Sequence, residues 1–425
     1  MMSRAYSLLR QIFRTPSKPK SHIDVLKIVA IFMVLYNHTG KEGFTAYTVQ
    51  MHQPWHWLLL SHAAWIKAAV PLFFMSSGAL LLGRDEPFSK TLSKRVLRFA
   101  VTLTVASAIV YVLYGQKPLS VQDFLFNLYT NQISTHFWYM YSYIAFLLMT
   151  PFLRKIAKGM TESEFVWLIC ATLIMKLLPV LDYLLFRGKH AHASDFTLFV
   201  YVSNVFYPLC GYFIENRMKK QRFSPETMLA LLLVTILSFY LTCVLTDWRY
   251  DLTGKWDSSN TQTYLSTFVL IPSITFYMLL KGWFDHHPVS PRVGKALSII
   301  SGSTFGVYLF EVVFRTETKA VYQHFRPICG DYGAKWIHIF VAYLAGIALS
   351  LLFTLVKGLV TIPLQRKLAE RVGGETELIP TDDTTEDNEV SGDLMLRTLL
   401  VRRRAAPPQD AAQSDPPEAP DKAKG

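Results

Sequence analysis

The sequence predicts an all-α membrane protein, a polytopic bundle of about ten transmembrane helices with both termini in the cytoplasm. Composition is the first reason: 51% of the 425 residues are hydrophobic and 17% are charged, against about 25% charged in soluble proteins. Length is the second, because apolar stretches able to cross a hydrocarbon core of about 30 Å recur along the chain. The third is the placement of Lys and Arg, which concentrate in every second connection.

The predicted spans follow one another along most of the chain. Each is an apolar stretch close to the roughly 20 residues that a helix needs to cross a bilayer. In order they lie near residues 23–39, 63–82, 96–114, 137–153, 165–186, 196–215, 226–246, 262–281, 297–314 and 334–362.

The charge pattern predicts the orientation. The connections on the N-terminal side of the bilayer hold more than twice as many Lys and Arg residues as the others, and basic connections stay in the cytoplasm. The net charge of +12 is therefore a topology signal, and no nucleic-acid partner is expected. Four cysteines, mostly in predicted spans, give no disulfide or metal framework. The first span carries Lys27 and lacks a small-x-small cleavage site, so we expect it to be retained.

Three regions follow from these patterns. Residues 1–21 form a basic leader whose apolar residues at helical spacing suit an anionic membrane surface, although a solvated basic segment has the same composition. Residues 22–362 form the membrane domain. Residues 363–425 form a cytoplasmic tail, largely disordered, because its composition is too polar to bury a core.

The first span carries two ionisable residues, Lys27 and His38, eleven positions apart. In a membrane such side chains are costly and commonly serve chemistry or transport. Each also has a simpler interpretation: Lys27 extends to the inner headgroups or pairs with Asp24 one turn earlier, and His38 anchors the helix at the interface. Spacing alone leaves these alternatives open.

Glu311 of the ninth span is predicted to lie at the same depth as His38. At 1.5 Å per residue, His38 lies about 22 Å and Glu311 about 21 Å from the inner ends of their helices. His136 and Trp138 open the fourth span from the outer side, so these groups are expected to converge on one outer vestibule. The alternatives are an ion pair with Arg315 for Glu311 and the interfacial aromatic belt for Trp138.

Ser76 and Ser77 precede Gly78 in the second span. Small residues at such positions usually permit close helix packing, which is the favoured interpretation. A nucleophilic serine would need a base within hydrogen-bond reach, and the sequence does not identify one.

The sequence resembles the acyltransferase 3 family of membrane O-acyltransferases over residues 22–362. The residues that carry the resemblance are Asp24, Lys27, Ala30 and His38, the segment VPLFFMSSGAL at 70–80, HFWY at 136–139 leading to Pro151, and ISGSTFGVYL at 300–309. The family signature is Arg, ten residues, then His, so a lysine stands here for the arginine and loses its planar bidentate fork. The branch that contains the enterobacterial common antigen O-acetyltransferase is the most similar, and it often has His at the position of Glu311.

The resemblance implies an O-acetyltransferase of the plasma membrane. It would move an acyl group from cytoplasmic acetyl-CoA to a hydroxyl of a cell-surface or cell-wall glycan, without a metal. His38 is then the expected general base, with Glu311 as its orienting partner. The residues expected to hold the donor phosphates are Lys27, Arg84, Lys94, Arg95 and Arg98. Those expected at the acceptor side of the pocket are His136, Trp138, Ser77 and Tyr308.

Two other classes of function stay open. A transporter of a polar solute would also place charges around an intramembrane cavity. A non-catalytic scaffold or sensor fits the replacement of His by Glu311. The family signature and the lack of visible inverted repeats favour the enzyme.

Overall fold

The computed structural model describes residues 19–49, 54–115, 118–186, 203–218, 222–256 and 267–371, together with Phe13. Within these ranges the chain is helical and contains no strand. Its principal helices are α1 (Ser21–Asn37), α2 (His56–Ile66), α3 (Ala69–Leu81), α4 (Phe88–Tyr114), α5 (Val121–Tyr129), α6 (Trp138–Gly159), α7 (Glu162–Phe186), α8 (Ser203–Asn216), α9 (Pro225–Thr253), α10 (Thr267–His286), α11 (Pro291–Ser301), α12 (Thr304–Leu309), α13 (Glu311–Glu317) and α14 (Lys319–Arg371). All are α-helical except that α4 contains a π-helical turn at Thr91–Val96.

Helix α1 lies at the centre of the bundle, in contact with α2, α3, α10, α11, α12 and α14. A helix that is apolar around most of its circumference is buried among others, and α1 has that composition. It ends at Asn37, and His38 is its C-terminal cap. Gly40 then adopts φ +60, a left-handed conformation that glycine tolerates without a Cβ penalty. The end of the central helix is therefore the position of the predicted general base.

Helices α3 and α8 pack against each other through glycines. A Cβ on Gly78 would lie 2.0 Å from the carbonyl oxygen of Pro208, and one on Gly211 would lie 1.9 Å from that of Met75. Neither position has room for a larger side chain. This close approach agrees with the packing interpretation of the small residues in the second predicted span.

Five helices of the described residues are long and apolar enough to cross a membrane, or six if one bent pair counts as a span. The five are His56–Leu81, Phe88–Tyr114, Pro225–Thr253, Phe268–His286 and Lys319–Val356. Helices are nevertheless found at each of the ten predicted positions. Length and composition thus support a multi-helix membrane protein with fewer evident spans than the sequence predicts.

The predicted ninth span, 297–314, is a broken helix made of α11, α12 and α13. Its part Pro291–Leu309 meets its part Glu311–Glu317 at an angle of 80°, with Phe310 at φ −115 and ψ 21 in the bend. The predicted depth of Glu311 assumed a straight helix, and the 80° bend contradicts that assumption, although Glu311 does lie beside His38, at 2.8 Å. The bend, rather than the axial rise, sets the position of the carboxylate.

The last helix also differs from the predicted tenth span, 334–362. Helix α14 begins at Lys319, and its backbone leaves helical geometry at Cys329 and Gly330. Gly330 has φ 72, which only glycine adopts readily. Two helices therefore meet at this kink.

The two terminal regions predicted from composition fall largely outside the described residues. Of the leader at 1–21 the structure describes Phe13 and residues 19–21, and of the tail at 363–425 it describes the backbone of residues 363–371, which continues α14. Both assignments stay predictions.

Candidate active site

A cavity opens beside α1, and the empty space inside it together with the open solvent at its mouth is about 880 Å³. Its walls come from α1, α2, α3, α4, α6 and α12, together with the turn before α6. Six of the residues singled out in the sequence line it: Lys27, His38, Ser77, His136, Trp138 and Tyr308. The structure thus brings together residues that are separated by more than 200 positions in the chain.

Lys27 and His38 lie on the same wall of the cavity because of their spacing. Eleven residues advance an α-helix by about 16 Å and leave the second side chain about 20° from the first. Val34, between them, lines the same wall. Lys27 also lies close enough to Asp24 to interact with it electrostatically. The cavity position and the pairing with Asp24 are therefore compatible, although the sequence left them as alternatives.

His38 and Glu311 form a hydrogen bond. The distance from His38 Nδ1 to Glu311 Oε2 is 2.8 Å, and the carboxylate is 1% exposed while the imidazole is 24% exposed. A carboxylate that accepts from Nδ1 fixes the neutral imidazole with its proton on Nδ1 and its lone pair on Nε2. This geometry makes His38 Nε2 a potential proton acceptor at the cavity wall.

Arg315 contacts both members of this pair. Its Nη2 lies 3.9 Å from Glu311 Oε1, and its Nη1 donates to the carbonyl oxygen of His38 at 2.5 Å. A cation at the C-terminal end of a helix interacts favourably with the unpaired carbonyls there. From the sequence, Arg315 and His38 were alternative partners of Glu311. The structure places both beside it.

His136 lies on the other side of the same carboxylate. Its Nδ1 is 3.7 Å from Glu311 Oε1 and 2.6 Å from Ser134 Oγ, and its side chain is 2% exposed. The hydroxyl of Tyr308 donates to the backbone carbonyl of His136 at 2.5 Å. Glu311 is therefore flanked by two imidazoles. Neither these side chains nor any other group of three or more His, Cys, Asp or Glu in the described ranges is arranged to hold a metal ion.

Aromatic rings form much of the remaining wall. Ser77 lines this wall. Its hydroxyl donates to the carbonyl oxygen of Phe73 at 2.9 Å and lies 3.3 Å from the hydroxyl of Tyr143. These contacts give the serine a structural role in the helix and do not include a base. Trp138 also lines the cavity. A largely apolar cavity with a few polar groups is the usual composition of a small-molecule site.

Asn37 is a cavity residue that sequence reasoning missed. It precedes His38 and lines the cavity, and its side-chain oxygen is buried without a hydrogen-bond partner. Buried amide groups normally have partners. The sequence signal was available, because an amide beside the histidine near the end of an apolar helix is itself unusual.

The arginines predicted to bind the donor lie elsewhere. Arg84 Nη1 is 4.0 Å and Arg95 Nη2 is 2.5 Å from Glu86 Oε1, in a cluster at the start of α4. Among the described residues, Lys27 lines the cavity and Arg84, Arg95 and Arg98 do not. The side chain of Lys94 lies outside the described part of the chain. The five candidates thus do not form one site around the cavity.

A family model described as an acyltransferase domain matches residues 21–355. The chain belongs to the acyltransferase 3 family. No curated protein sequence and no solved structure matches the chain. The family resemblance drawn from the motifs is therefore confirmed, and the protein is a membrane acyltransferase in general terms.

The range matched by the acyltransferase 3 family model includes every residue of the candidate site. The matched range begins at the first residue of α1 and ends within α14, so it includes both histidines, Glu311 and Lys27. The family signature places an arginine eleven residues before the histidine, and in this chain Lys27 takes that position on the cavity wall. The lysine keeps the positive charge and loses bidentate hydrogen bonding.

Proposed function

We propose that the protein is an O-acetyltransferase that takes the acetyl group from cytoplasmic acetyl-CoA and transfers it to a hydroxyl of a cell-envelope glycan. The observation that carries the proposal is the hydrogen bond between His38 and Glu311 at the wall of a cavity that Lys27 also lines. The proposal includes ten spans, cytoplasmic termini, a plasma-membrane location and a relation to the enterobacterial common antigen O-acetyltransferase branch.

His38 acts as the general base in this reaction. An acceptor hydroxyl becomes a good nucleophile when a neutral imidazole takes its proton as the bond to the acyl carbon forms. The hydrogen bond from Nδ1 to Glu311 leaves Nε2 to accept that proton. The buried carboxylate then stabilises the imidazolium that results, as in other histidine–carboxylate pairs. When the intermediate collapses, the same proton passes to the departing thiolate.

Lys27 supplies positive charge at the inner end of the cavity. Its position about 16 Å from His38 along α1 separates the phosphates of the donor from the reacting carbonyl. Acyl-CoA carries its thioester on a long flexible arm, so the phosphates can stay near Lys27 while the thioester reaches His38. The aromatic walls between them keep water from the thioester.

Acyl transfer is tested with radiolabelled acetyl-CoA on the cytoplasmic side of membrane vesicles that contain the full chain. We expect label to appear in the envelope glycan, and mass spectrometry of that glycan to find an added acetyl group. Vesicles with the His38→Ala variant serve as the control. Flux of a solute without any labelled product would contradict the proposal and favour the transporter.

The donor role of Lys27 is tested by a pair of substitutions. Lys27→Arg keeps the charge and restores the fork, so we expect transfer to be kept or raised. Lys27→Ala removes the charge, so we expect the KM for acetyl-CoA to rise by about tenfold or more. Equal activity of the two variants would show that Lys27 does not bind the donor and has a structural role in α1.

A further inference from the structure

His136 has two features that a residue lining a cavity does not need: its side chain is almost fully buried, and one of its ring nitrogens lacks a well-formed hydrogen bond. The side chain is 2% exposed, and its Nε2 is buried without a hydrogen bond of good geometry. The backbone of Leu309 lies close enough to the ring to act as a hydrogen-bond partner that raises its pKa, although burial outweighs that effect. A buried nitrogen without a partner is costly and calls for an explanation. Because His136 lines the cavity, a bound substrate is a candidate partner for this nitrogen.

The groups next to Nδ1 determine whether Nε2 carries the ring proton and can donate a hydrogen bond. The Glu311 oxygen at 3.7 Å is beyond hydrogen-bond distance, while Ser134 Oγ at 2.6 Å is well within it. A serine hydroxyl can donate to an unprotonated Nδ1. In that tautomer the single ring proton is on Nε2, which becomes a donor.

The ring is also neutral under working conditions. His136 lies in the short turn before α6, and burial lowers its pKa to about 4, although the nearby Glu311 carboxylate acts in the opposite direction. A neutral imidazole donates one hydrogen bond without bringing a full positive charge next to His38. The two imidazoles on either side of Glu311 therefore have different tasks, one accepting a proton and one donating a hydrogen bond.

We propose that His136 is a catalytic residue whose Nε2–H donates a hydrogen bond to the thioester carbonyl oxygen as negative charge develops on it. This inference rests on the proposed acyl transfer. In the step, the acceptor oxygen bonds to the thioester carbon and its proton moves to His38 Nε2, while the carbonyl electron pair moves onto the oxygen that His136 stabilises. The carbonyl then re-forms, the carbon–sulfur bond breaks, and the thiolate takes the proton from His38 to leave as a thiol.

The surroundings of His136 hold its ring in place for this task. The Tyr308 hydroxyl fixes the backbone at this residue, and the rings of Phe137 and Tyr308 lie 4.3 and 5.5 Å from the imidazole, centroid to centroid. A donor that is fixed before the reaction needs no reorganisation when the charge forms. Such preorganised donors typically contribute about 10²- to 10³-fold in kcat.

Two substitutions separate the ring nitrogens. Gln places its amide nitrogen near the position of Nε2, while Asn places its own near Nδ1. We expect His136→Gln to keep at least a tenth of the wild-type kcat and His136→Asn to lose about 10²-fold or more, with the KM for acetyl-CoA little changed in both. The assay is labelled acetyl-CoA with glycan-containing vesicles, with membrane levels of each variant measured in parallel.

The opposite ranking, or equal kcat in both variants, would overturn the role of Nε2. Absence of transfer by the wild-type protein would instead remove the proposed function itself, so the two failures are distinguishable. If either His136 variant fails to accumulate in the membrane, Ser134→Ala replaces it as the test. Losing the hydroxyl that sets the tautomer is expected to lower kcat by about tenfold, and an unchanged kcat would overturn the proposal.

Discussion

Two buried glutamates organise two different clusters in this molecule. Glu86, between α3 and α4, accepts hydrogen bonds from Arg95 at 2.5 Å and from Arg154 at 2.7 Å, and all three side chains are at most 6% exposed. Glu311, at the bend between α12 and α13, accepts from His38 at 2.8 Å and lies near His136. Each carboxylate joins elements that are distant in the sequence.

The difference between the clusters lies in their partners. Guanidinium groups stay protonated at all relevant pH values and bind the carboxylate in a fixed geometry, so the Glu86 cluster exchanges no proton near neutral pH. A neutral imidazole can accept a proton at one ring nitrogen and donate a hydrogen bond from the other, and both of the imidazoles beside Glu311 line the cavity. A buried carboxylate thus serves structure or chemistry according to whether its partners can exchange a proton or a hydrogen bond with a substrate.

The largest expected effect comes from a substitution in the Glu311 cluster. His38→Ala removes the proposed base, and general-base catalysis contributes about 10²- to 10⁴-fold, so we expect labelled transfer to fall by about 10³-fold or more at normal membrane levels. His287→Ala, at an exposed histidine at the end of α10, is the matched control and should retain full activity. Retained transfer by the His38 variant would place His38 with the structural residues.

The sequence predicted the positions of the helices, because these follow from the lengths of the apolar stretches. Helices lie at each of the ten positions that hydropathy indicated, because a buried or lipid-facing backbone must satisfy its own hydrogen bonds. The break at Phe310 was not predictable, since neither Gly nor Pro is found at the bend and tertiary contacts hold it. The kink at Gly330 did have a signal in the sequence, because glycine adopts the left-handed φ that such a break requires.

The site was predictable where residues share one helix. Lys27 and His38 line one wall because helix periodicity alone puts them there. The predicted depths of His136 and Glu311 led us to expect them in one vestibule, but which of their atoms approach each other depends on how distant segments pack, which spacing does not encode. Arg95 was expected near the donor, but it pairs with Glu86, which lies nine residues earlier and before the start of α4. That separation is longer than the i,i+3 and i,i+4 spacings at which helical residues pair. The ion pair of Arg95 was therefore invisible in the sequence.

A second prediction tests the reactive carboxylate directly. Glu311→Gln keeps the shape of the side chain but no longer holds the His38 proton on Nδ1 through a full negative charge, so we expect kcat to fall by about 10²-fold with normal protein levels. Glu317→Gln, at an exposed carboxylate of the same helix, should leave kcat unchanged. If Glu311→Gln kept its rate but lowered the stability, the pairing with Arg315 would be its main role.

The third prediction concerns the structural carboxylate. Glu86→Gln leaves Arg95 and Arg154 without their buried counter-charge, which costs on the order of 1–3 kcal/mol, so we expect a midpoint of thermal unfolding in detergent that is several degrees lower. The rate per folded molecule should stay close to the wild-type value. Asp85→Asn is the control, since Asp85 is 96% exposed where it pairs with Lys158 and exposed pairs contribute little. A loss of kcat in Glu86→Gln without a loss of stability would break the distinction between the two clusters.

The smallest expected effect is the response of the Glu86 cluster to acid. Burial acts to raise the pKa of Glu86, but the hydrogen bonds and charges of Arg95 and Arg154 outweigh it and lower the pKa from 4.5 to about 2. A carboxyl group whose pKa is lower in the folded state contributes stability that is fully present above pH 4.5 and is lost as the pH falls toward 2.

We therefore expect the thermal midpoint of the wild-type protein to fall more steeply over this pH window than that of Glu86→Gln, which has no proton to take up at this position. Other carboxylates titrate in the same range but are common to both proteins, so the difference between the two curves isolates Glu86. Parallel curves would mean that the arginines hold this carboxylate no more tightly when it is charged than when it is neutral, and the Glu86 cluster would then lose its assignment as an electrostatic clamp.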